Sequence, residues 1–117
     1  NLKLANKISN EQKKLEKKPK IFIQINIANE PQKSGIEIDK FEDFYNNCIK
    51  LDLDIIGTMC LPPGNKDPID YFSKMNELNN KFKLNELSMG MSNDFLKALI
   101  YNSTYLRIGS KIFGERN

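Results

Sequence analysis

Hydrophobic positions in this chain of 117 residues alternate between a helical spacing and a strand spacing. Apolar residues between positions 2 and 15 recur about every three or four residues among lysines and glutamates, which predicts a helix. Pro19 ends that helix. Residues 21–27 place isoleucine at alternate positions, which predicts a strand with Gln24 and Asn26 on its other face.

The rest of the chain repeats this alternation of helix and strand. Asp39 with Glu42 predicts the start of a second helix, and Asp67-Pro68 predicts the start of a third. Ser92 is expected to cap a last helix that ends near Tyr101. The three remaining predicted strands cover residues 55–60, 86–89 and 104–108.

Such alternation with short connections predicts an α/β fold with a parallel sheet and right-handed crossovers. Four βα units are half of a parallel (β/α)8 TIM-type barrel, and a full barrel takes about 250 residues. We therefore expect this chain to supply about the last four units of such a barrel. An open four-stranded sheet is the competing architecture.

Composition excludes several classes of function. The formal net charge is +3, and the chain has no histidine and no tryptophan, so it cannot by itself carry out histidine catalysis or form a histidine metal site. Cys48 and Cys60 lack metal-ligand spacing, and we interpret them as reduced packing residues of a cytoplasmic protein. We expect no metal, no membrane span and no nucleic-acid partner. The basic run at 13–20 has no aromatic residue and is interpreted as a solvated helix face.

The candidate chemistry lies where the predicted strands end, because function in parallel barrels sits at the carboxyl ends of the strands. Residues 87–92 and 105–110 each read as a buried strand that breaks into a glycine- and serine-containing turn. Two such turns can offer backbone N–H groups and hydroxyls to one anion. Arg107 stands among apolar residues and needs a partner, which a ligand can supply. The sequence therefore predicts a site for a small phosphorylated molecule.

Each of these residues also has a purely structural interpretation. Ser92 can act only as a helix cap, and Gly90 and Gly109 only as turn glycines. Arg107 can pair with a structural carboxylate such as that of Asp94 or Glu86. The amides of Gln24 and Asn26 can be satisfied by the backbone. The methionines at 59, 89 and 91 can simply fill the core.

Five stretches together resemble the pyridoxal phosphate homeostasis protein family, a relative of the alanine racemase barrel. They are residues 24–27, 32–36, 57–62, 87–94 and 103–114. The resemblance implies a non-enzymatic barrel that holds pyridoxal 5′-phosphate (PLP) at its mouth and takes part in intracellular PLP homeostasis. The alternatives are an alanine-racemase-like PLP enzyme and a barrel that binds phosphate esters without PLP.

The resemblance also implies roles for single residues. Arg107 would face the pyridine nitrogen, which weakens the ring as an electron sink. The cofactor-binding positions that it implies are Asn26, Met59, Ser88, Gly90, Met91, Ser92, Arg107, Gly109 and Ser110. Of these, Ser92, Gly109 and Ser110 correspond to the turns that hold the phosphate, and Ser88 and Gly90 shape the first turn. Asn26 and Met59 correspond to positions that line the pocket.

One departure from the family pattern limits these implications. The lysine that forms the Schiff base in the family lies on its first strand, and no matching motif occurs in this sequence. We therefore assign no catalytic residue, and we expect residues 1–117 to be the C-terminal half of a single PLP-binding domain. The expected partners are PLP and the missing N-terminal half of the barrel, and we expect the full-length protein to be monomeric.

Overall fold

The computed structural model describes residues 1–31, 34–64, 67–91 and 94–107, with Arg107 represented by its backbone. Helices and strands alternate through this part of the chain. The helices are α1 (Leu2–Leu15), α2 (Phe41–Lys50), α3 (Ile69–Lys81) and α4 (Phe95–Ile100). The strands are β1 (Lys20–Asn26), β2 (Ile36–Glu37), β3 (Asp54–Cys60), β4 (Glu86–Met91) and β5 (Tyr105–Arg107).

The strands form one five-stranded sheet in the order β2-β1-β3-β4-β5, and every neighbouring pair is parallel. Helix α2 lies in the chain between β1 and β3, α3 between β3 and β4, and α4 between β4 and β5. This arrangement confirms the predicted parallel α/β fold.

The short strand β2 was not predicted. It pairs Ile36 with Ile25 and Glu37 with Asn26, on the edge of β1 opposite β3. Gly35 makes this return of the chain possible, because its φ is +113° and a Cβ atom there would lie 2.9 Å from the backbone nitrogen of Asn26. Two paired residues are too few to produce an alternating pattern in the sequence.

The predicted boundaries differ from the observed ones by a few residues. Residues Ile38–Lys40 form a 3₁₀ turn, so that α2 begins at Phe41 rather than at Asp39. Strand β4 continues two residues beyond its predicted end, to Met91. Thr104 precedes β5 and already joins it to β4, because its Oγ1 accepts a 2.7 Å hydrogen bond from the N–H of Leu87.

The core lies between the sheet and the helices. Ile25 and Leu87 of the sheet are almost fully buried, as are Phe41 of α2 and Phe72 and Met75 of α3. Pairing partners share a face of the sheet, so the register Ile25–Cys60 and Thr58–Leu87 places these residues on the helix-covered side.

The opposite face of the sheet is concave. The rings of Phe22 in β1 and Tyr105 in β5 meet edge to face with their centroids 5.1 Å apart, although β3 and β4 lie between them. On a flat sheet these strands would be about 14 Å apart, at roughly 4.8 Å per strand spacing. The sheet therefore curls towards this face, as it does in a barrel wall.

Candidate functional site

The carboxyl ends of the parallel strands meet at one edge of the sheet, and four of the predicted binding residues lie near it. Met59 of β3 pairs with Ser88 of β4, and Met91 of β4 pairs with Arg107 of β5. Met59 and Ser88 are half-buried, and Met91 is 47% exposed. The pairing partners Gln24, Met59 and Ser88 share the concave face. The tertiary structure thus brings these predicted residues together.

Asn26 ends β1 at the same edge, but its side chain is used by the adjoining loop. Its Nδ2 donates a 2.7 Å hydrogen bond to the carbonyl of Glu30, and its Oδ1 accepts a 3.1 Å hydrogen bond from the N–H of Glu30. Asn26 is only 9% exposed. These two hydrogen bonds give its buried side-chain amide both a donor partner and an acceptor partner within the protein. Its observed role is to hold the loop that follows β1.

Gly90 has a packing role that the sequence did not reveal. Its φ is +102°, and a Cβ atom there would lie 2.6 Å from the Cβ of Ala98 and 3.0 Å from a Cδ of Leu106. A side chain would therefore displace α4 from the sheet. Gly90 therefore turns the chain, which is the structural interpretation left open above, and it also lets α4 pack closely against the sheet.

Asp94 closes the turn after β4, and the sequence had suggested it only as a partner for Arg107. Its Oδ1 accepts a 2.6 Å hydrogen bond from the N–H of Met91, while its own N–H donates to the carbonyl of Met91 over 3.2 Å. The amide of Met91 is thus already bonded to a carboxylate. An aspartate just before an apolar helix was the sequence signal for this role.

Three predicted binding residues, Ser92, Gly109 and Ser110, lie outside the described residues. Arg107 is described by its backbone alone, which pairs with Met91.

Cys60 lies at the carboxyl end of β3 and is 1% exposed. Burial, and secondarily the nearby carboxylate of Asp94, raises the pKa of its thiol to about 12. Burial also raises the pKa of the Cys48 thiol. A thiol that remains protonated at neutral pH is a poor nucleophile, so Cys60 acts as a packing residue.

Comparison with known proteins identifies the family. The whole chain, residues 1–117, matches the family described as alanine racemase, N-terminal domain. The chain therefore belongs to the alanine racemase N-terminal domain family. No helix in the described ranges is long and apolar enough to cross a membrane.

Several relatives carry the name pyridoxal phosphate homeostasis protein. The protein of Aquifex aeolicus is 34% identical over an alignment of 106 positions that covers 82% of this chain and 46% of the relative. The protein of Pasteurella multocida is 35% identical over an alignment of 127 positions that covers 98% of this chain and 54% of the relative. The chain thus spans about half the length of the curated relatives that it matches.

The fold is similar to that of PipY from Synechococcus elongatus. The structure of PipY without PLP superposes with a TM-score of 0.85 at 26% identity, covering 97% of this chain and 58% of PipY. The structure of PipY with PLP bound superposes with a TM-score of 0.82 at 24% identity, which shows a shared fold. The match confirms the prediction of an alanine racemase-like fold of which this chain forms about half.

Proposed function

We propose that this chain is part of a PLP-binding protein that serves PLP homeostasis without catalysing a reaction of its own. The observation that supports this proposal most directly is the strand register. It puts Met59 beside Ser88 and Met91 beside Arg107, at the carboxyl edge of a parallel sheet. These positions occur in the stretches that resemble the PLP homeostasis family, and the curated relatives of that name match nearly the whole of this chain.

The side chains on the concave face suit a flat aromatic ligand with polar substituents. Met59 supplies a polarizable thioether and Ser88 supplies a hydroxyl, and both are half-buried. PLP supplies an aldehyde that forms imines with amines, and its phosphate needs several hydrogen-bond donors. We propose that Ser92, Gly109 and Ser110 bind the phosphate and that Arg107 binds the pyridine nitrogen. In this proposal the residues of the chain hold and orient the cofactor.

Covalent attachment requires a lysine that this sequence does not supply at the matching position. We propose that the lysine belongs to the half of the relatives that this chain does not match, and that both halves form one barrel domain. In that state we expect a cytoplasmic monomer. Cys48 and Cys60, which are free and buried thiols, support a reducing compartment.

A PLP titration tests this proposal. The chain is titrated with and without a separately expressed N-terminal half of the Pasteurella relative, the imine absorbance is followed, and the adduct is reduced with borohydride. Mass spectrometry then locates the modified lysine. We expect one saturable site that appears only in the mixture, on the first-strand lysine of the added half.

Two further outcomes would contradict the proposal. Saturable labelling of this chain alone, for example at Lys33, would mean that it has a separate PLP site. Equal affinity of the mixture for PLP and for a plain phosphate ester, without an imine, would favour a phosphate-binding barrel that does not use PLP.

The role of Arg107 is tested in the same mixture. We expect Arg107→Ala to shift the absorbance of bound PLP, because the proposed partner of the ring nitrogen is lost. Arg107→Lys, which keeps a positive charge but loses the planar guanidinium, is the matched control and should give a smaller shift. An unchanged spectrum in Arg107→Ala would remove this role.

A further inference from the structure

Lysines collect where the strands begin. In a parallel α/β sheet the strands start, and the preceding helices end, at one edge, so the segments that lead into β1, β3 and β4 lie together. Lys18 and Asp52 show this contact, because the Nζ of Lys18 lies 2.9 Å from Oδ1 of Asp52. Lys20 and Lys83 also line one cavity of about 310 Å³ at this edge. We call the surface formed by residues 12–20, 47–54 and 78–86 the amino-end face.

The amino-end face carries a net positive charge. It holds eight lysines and four carboxylates, a formal net charge of +4, and residues 101–105, which lead into β5, add no charge. All eight lysines are exposed, namely Lys13, Lys14, Lys17, Lys18, Lys20, Lys50, Lys81 and Lys83.

The opposite edge has the reverse balance. Residues 26–44, 60–72 and 91–98, which connect the carboxyl ends of the strands to the helices that follow, contain eight carboxylates and four lysines, a formal net charge of −4. The charges of the chain therefore form a dipole along the strand direction, with the candidate site at the negative end.

The dipoles of the helices explain only part of this pattern. Four of the eight lysines lie in the last turns of α1, α2 and α3, where the negative end of a helix dipole stabilises a cation. The other four, Lys17, Lys18, Lys20 and Lys83, lie beyond the helix ends. Among the described residues only Lys18 of these four forms an ion pair. The face thus presents positive charge that the fold itself does not use.

The aromatic rings near the amino-end face are already used within the protein. The ring centroid of Phe82 lies 4.8 Å from that of Phe41, and Nζ of Lys81 lies 5.7 Å from the Phe82 centroid. Tyr105, which also lines the cavity, meets the ring of Phe22. The face contains no arginine. Nucleic-acid sites use free aromatic rings for base stacking and arginine for base edges, so this face is better suited to a diffuse anionic surface.

One apolar side chain stands among these lysines. Ile49 is 48% exposed in the last turn of α2, next to Lys50. Neighbouring helices flank α2 on both sides, because Ser9 of α1 donates a hydrogen bond to the loop after α2 and Tyr45 of α2 lies 5.3 Å from Phe82 after α3. The exposure of Ile49 is therefore set by elements within the chain. An apolar residue beside lysines is typical of segments that rest in the headgroup region of a membrane.

We propose that the amino-end face docks on an anionic phospholipid surface. Each lysine close to such a surface strengthens binding roughly fivefold. The negative edge of the molecule is repelled by the same surface, so the candidate PLP site faces the aqueous phase. The face stays open in a complete barrel, because the strands of a barrel lie side by side and further strands do not cover this edge. The inference goes beyond the proposed function and does not depend on PLP.

Sedimentation with vesicles tests the proposal. Vesicles of phosphatidylglycerol and phosphatidylcholine in equal parts are compared with vesicles of phosphatidylcholine alone. We expect binding to the mixed vesicles only, weakened at least about tenfold between about 0.05 M and about 0.5 M salt because the charges are screened. Equal binding to both kinds of vesicle, which indicates adhesion through apolar surface, would overturn the proposal. So would the absence of binding to mixed vesicles at low salt.

A triple variant locates the docking surface. Lys17→Gln, Lys20→Gln and Lys83→Gln together remove three charges that lie beyond the helix ends, and they should lower the partition coefficient on mixed vesicles at least about tenfold. Circular dichroism checks that the variant is folded, which we expect because all three side chains are exposed.

The matched control removes the same charge from other parts of the molecule. Lys40→Gln, Lys74→Gln and Lys97→Gln change three exposed lysines outside the amino-end face. These changes should alter the partition coefficient by less than about twofold, because screening limits the attraction to charges near the membrane. Equal losses in the two triple variants would show that net charge alone drives binding, and this would overturn the assignment to the amino-end face.

A fluorophore sensitive to its surroundings reports the orientation. It is attached to Lys50→Cys, beside Ile49, or to Lys97→Cys at the opposite edge, since Cys48 and Cys60 are buried. We expect a blue shift on mixed vesicles for the label at position 50 and none at position 97, and the reverse would overturn the proposal.

Single-stranded RNA is the competing ligand. Binding to RNA that is tighter than binding to mixed vesicles, and that is lost in the Lys17, Lys20 and Lys83 triple variant, would assign the face to nucleic acid and overturn the proposal. Failure to bind PLP would leave all of these results unchanged, which separates them from the test of the proposed function.

Discussion

The hydroxyl of Thr58 in β3 donates a 2.6 Å hydrogen bond to Oδ1 of Asn79 in α3, and both residues are buried. Nδ2 of Asn79 in turn donates a 2.7 Å hydrogen bond to the backbone carbonyl of Glu86 at the start of β4. One side-chain amide thus links α3 to two strands and fixes their relative position below the candidate site.

Asn79→Ala should destabilise the protein strongly. The change leaves a buried hydroxyl and a backbone carbonyl without their partner, and we expect it to lower the free energy of unfolding by about 2–3 kcal/mol. Asn80→Ala is the control, because Asn80 is the next residue of the same helix and is exposed. Urea denaturation at one protein concentration measures both variants. Equal losses of unfolding free energy in the two variants would show that the hydrogen bonds of Asn79 make no specific contribution to stability.

The contact between Phe22 and Tyr105 should appear as a coupling energy. Leucine replaces each ring, singly and together, and the free energy of unfolding is measured by urea denaturation. We expect a coupling of about 0.5–1.5 kcal/mol, as for other aromatic pairs. The control is Phe22→Leu combined with Tyr101→Leu, because Tyr101 follows α4 on the other side of the sheet. The losses of unfolding free energy caused by these two changes should add. Additivity of the Phe22 and Tyr105 changes would argue against a stabilising contact across the concave face.

Gly57→Ala should disturb the pairing of β3 with β4. A Cβ atom at Gly57 would lie 1.9 Å from the carbonyl oxygen of Glu86, so a backbone segment must move. We expect a loss at the upper end of the roughly 1–3 kcal/mol typical of overpacking. At Gly64 the added Cβ meets no heavy atom within 4 Å among the described residues other than Gly64 and its chain neighbours, so Gly64→Ala should change stability by less than about 0.5 kcal/mol. Thermal unfolding compares the two variants, and similar melting temperatures would contradict the prediction.

The Cys60 thiol should make stability fall at high pH. Its pKa is raised to about 12 in the folded state from 9.0, so the folded state keeps the proton more tightly than the unfolded state does. The resulting stability is fully present below pH 9 and is lost as pH rises from about 9 to about 12. Cys60→Val, which removes the titrating group, should lose less stability over this window in urea titrations. Rapid alkylation of Cys60 in the folded protein at neutral pH would contradict its protonated, buried state.

Hydrophobic spacing and turn chemistry determined most of the fold. Alternating isoleucines in β1, the Asp67-Pro68 signal before α3 and the short connections were sufficient to predict parallel strands with intervening helices. These features are local, because each depends on residues that are close in sequence. The resemblance to PLP homeostasis proteins also rests on local motifs, and the similarity to curated relatives of that name confirms it.

Only the tertiary structure decided how distant residues are used. Three contacts show this. Asn26 forms a hydrogen bond with Glu30, and Gly90 packs against Ala98. The ring of Phe22 contacts the ring of Tyr105 across the curved sheet. Strand β2 likewise exists because the chain returns to the free edge of β1 after Gly35. The sequence by itself therefore determined four of the five segments that form the parallel sheet, all except β2. Strand register and the packing of distant segments decided which side chains remain available at the site.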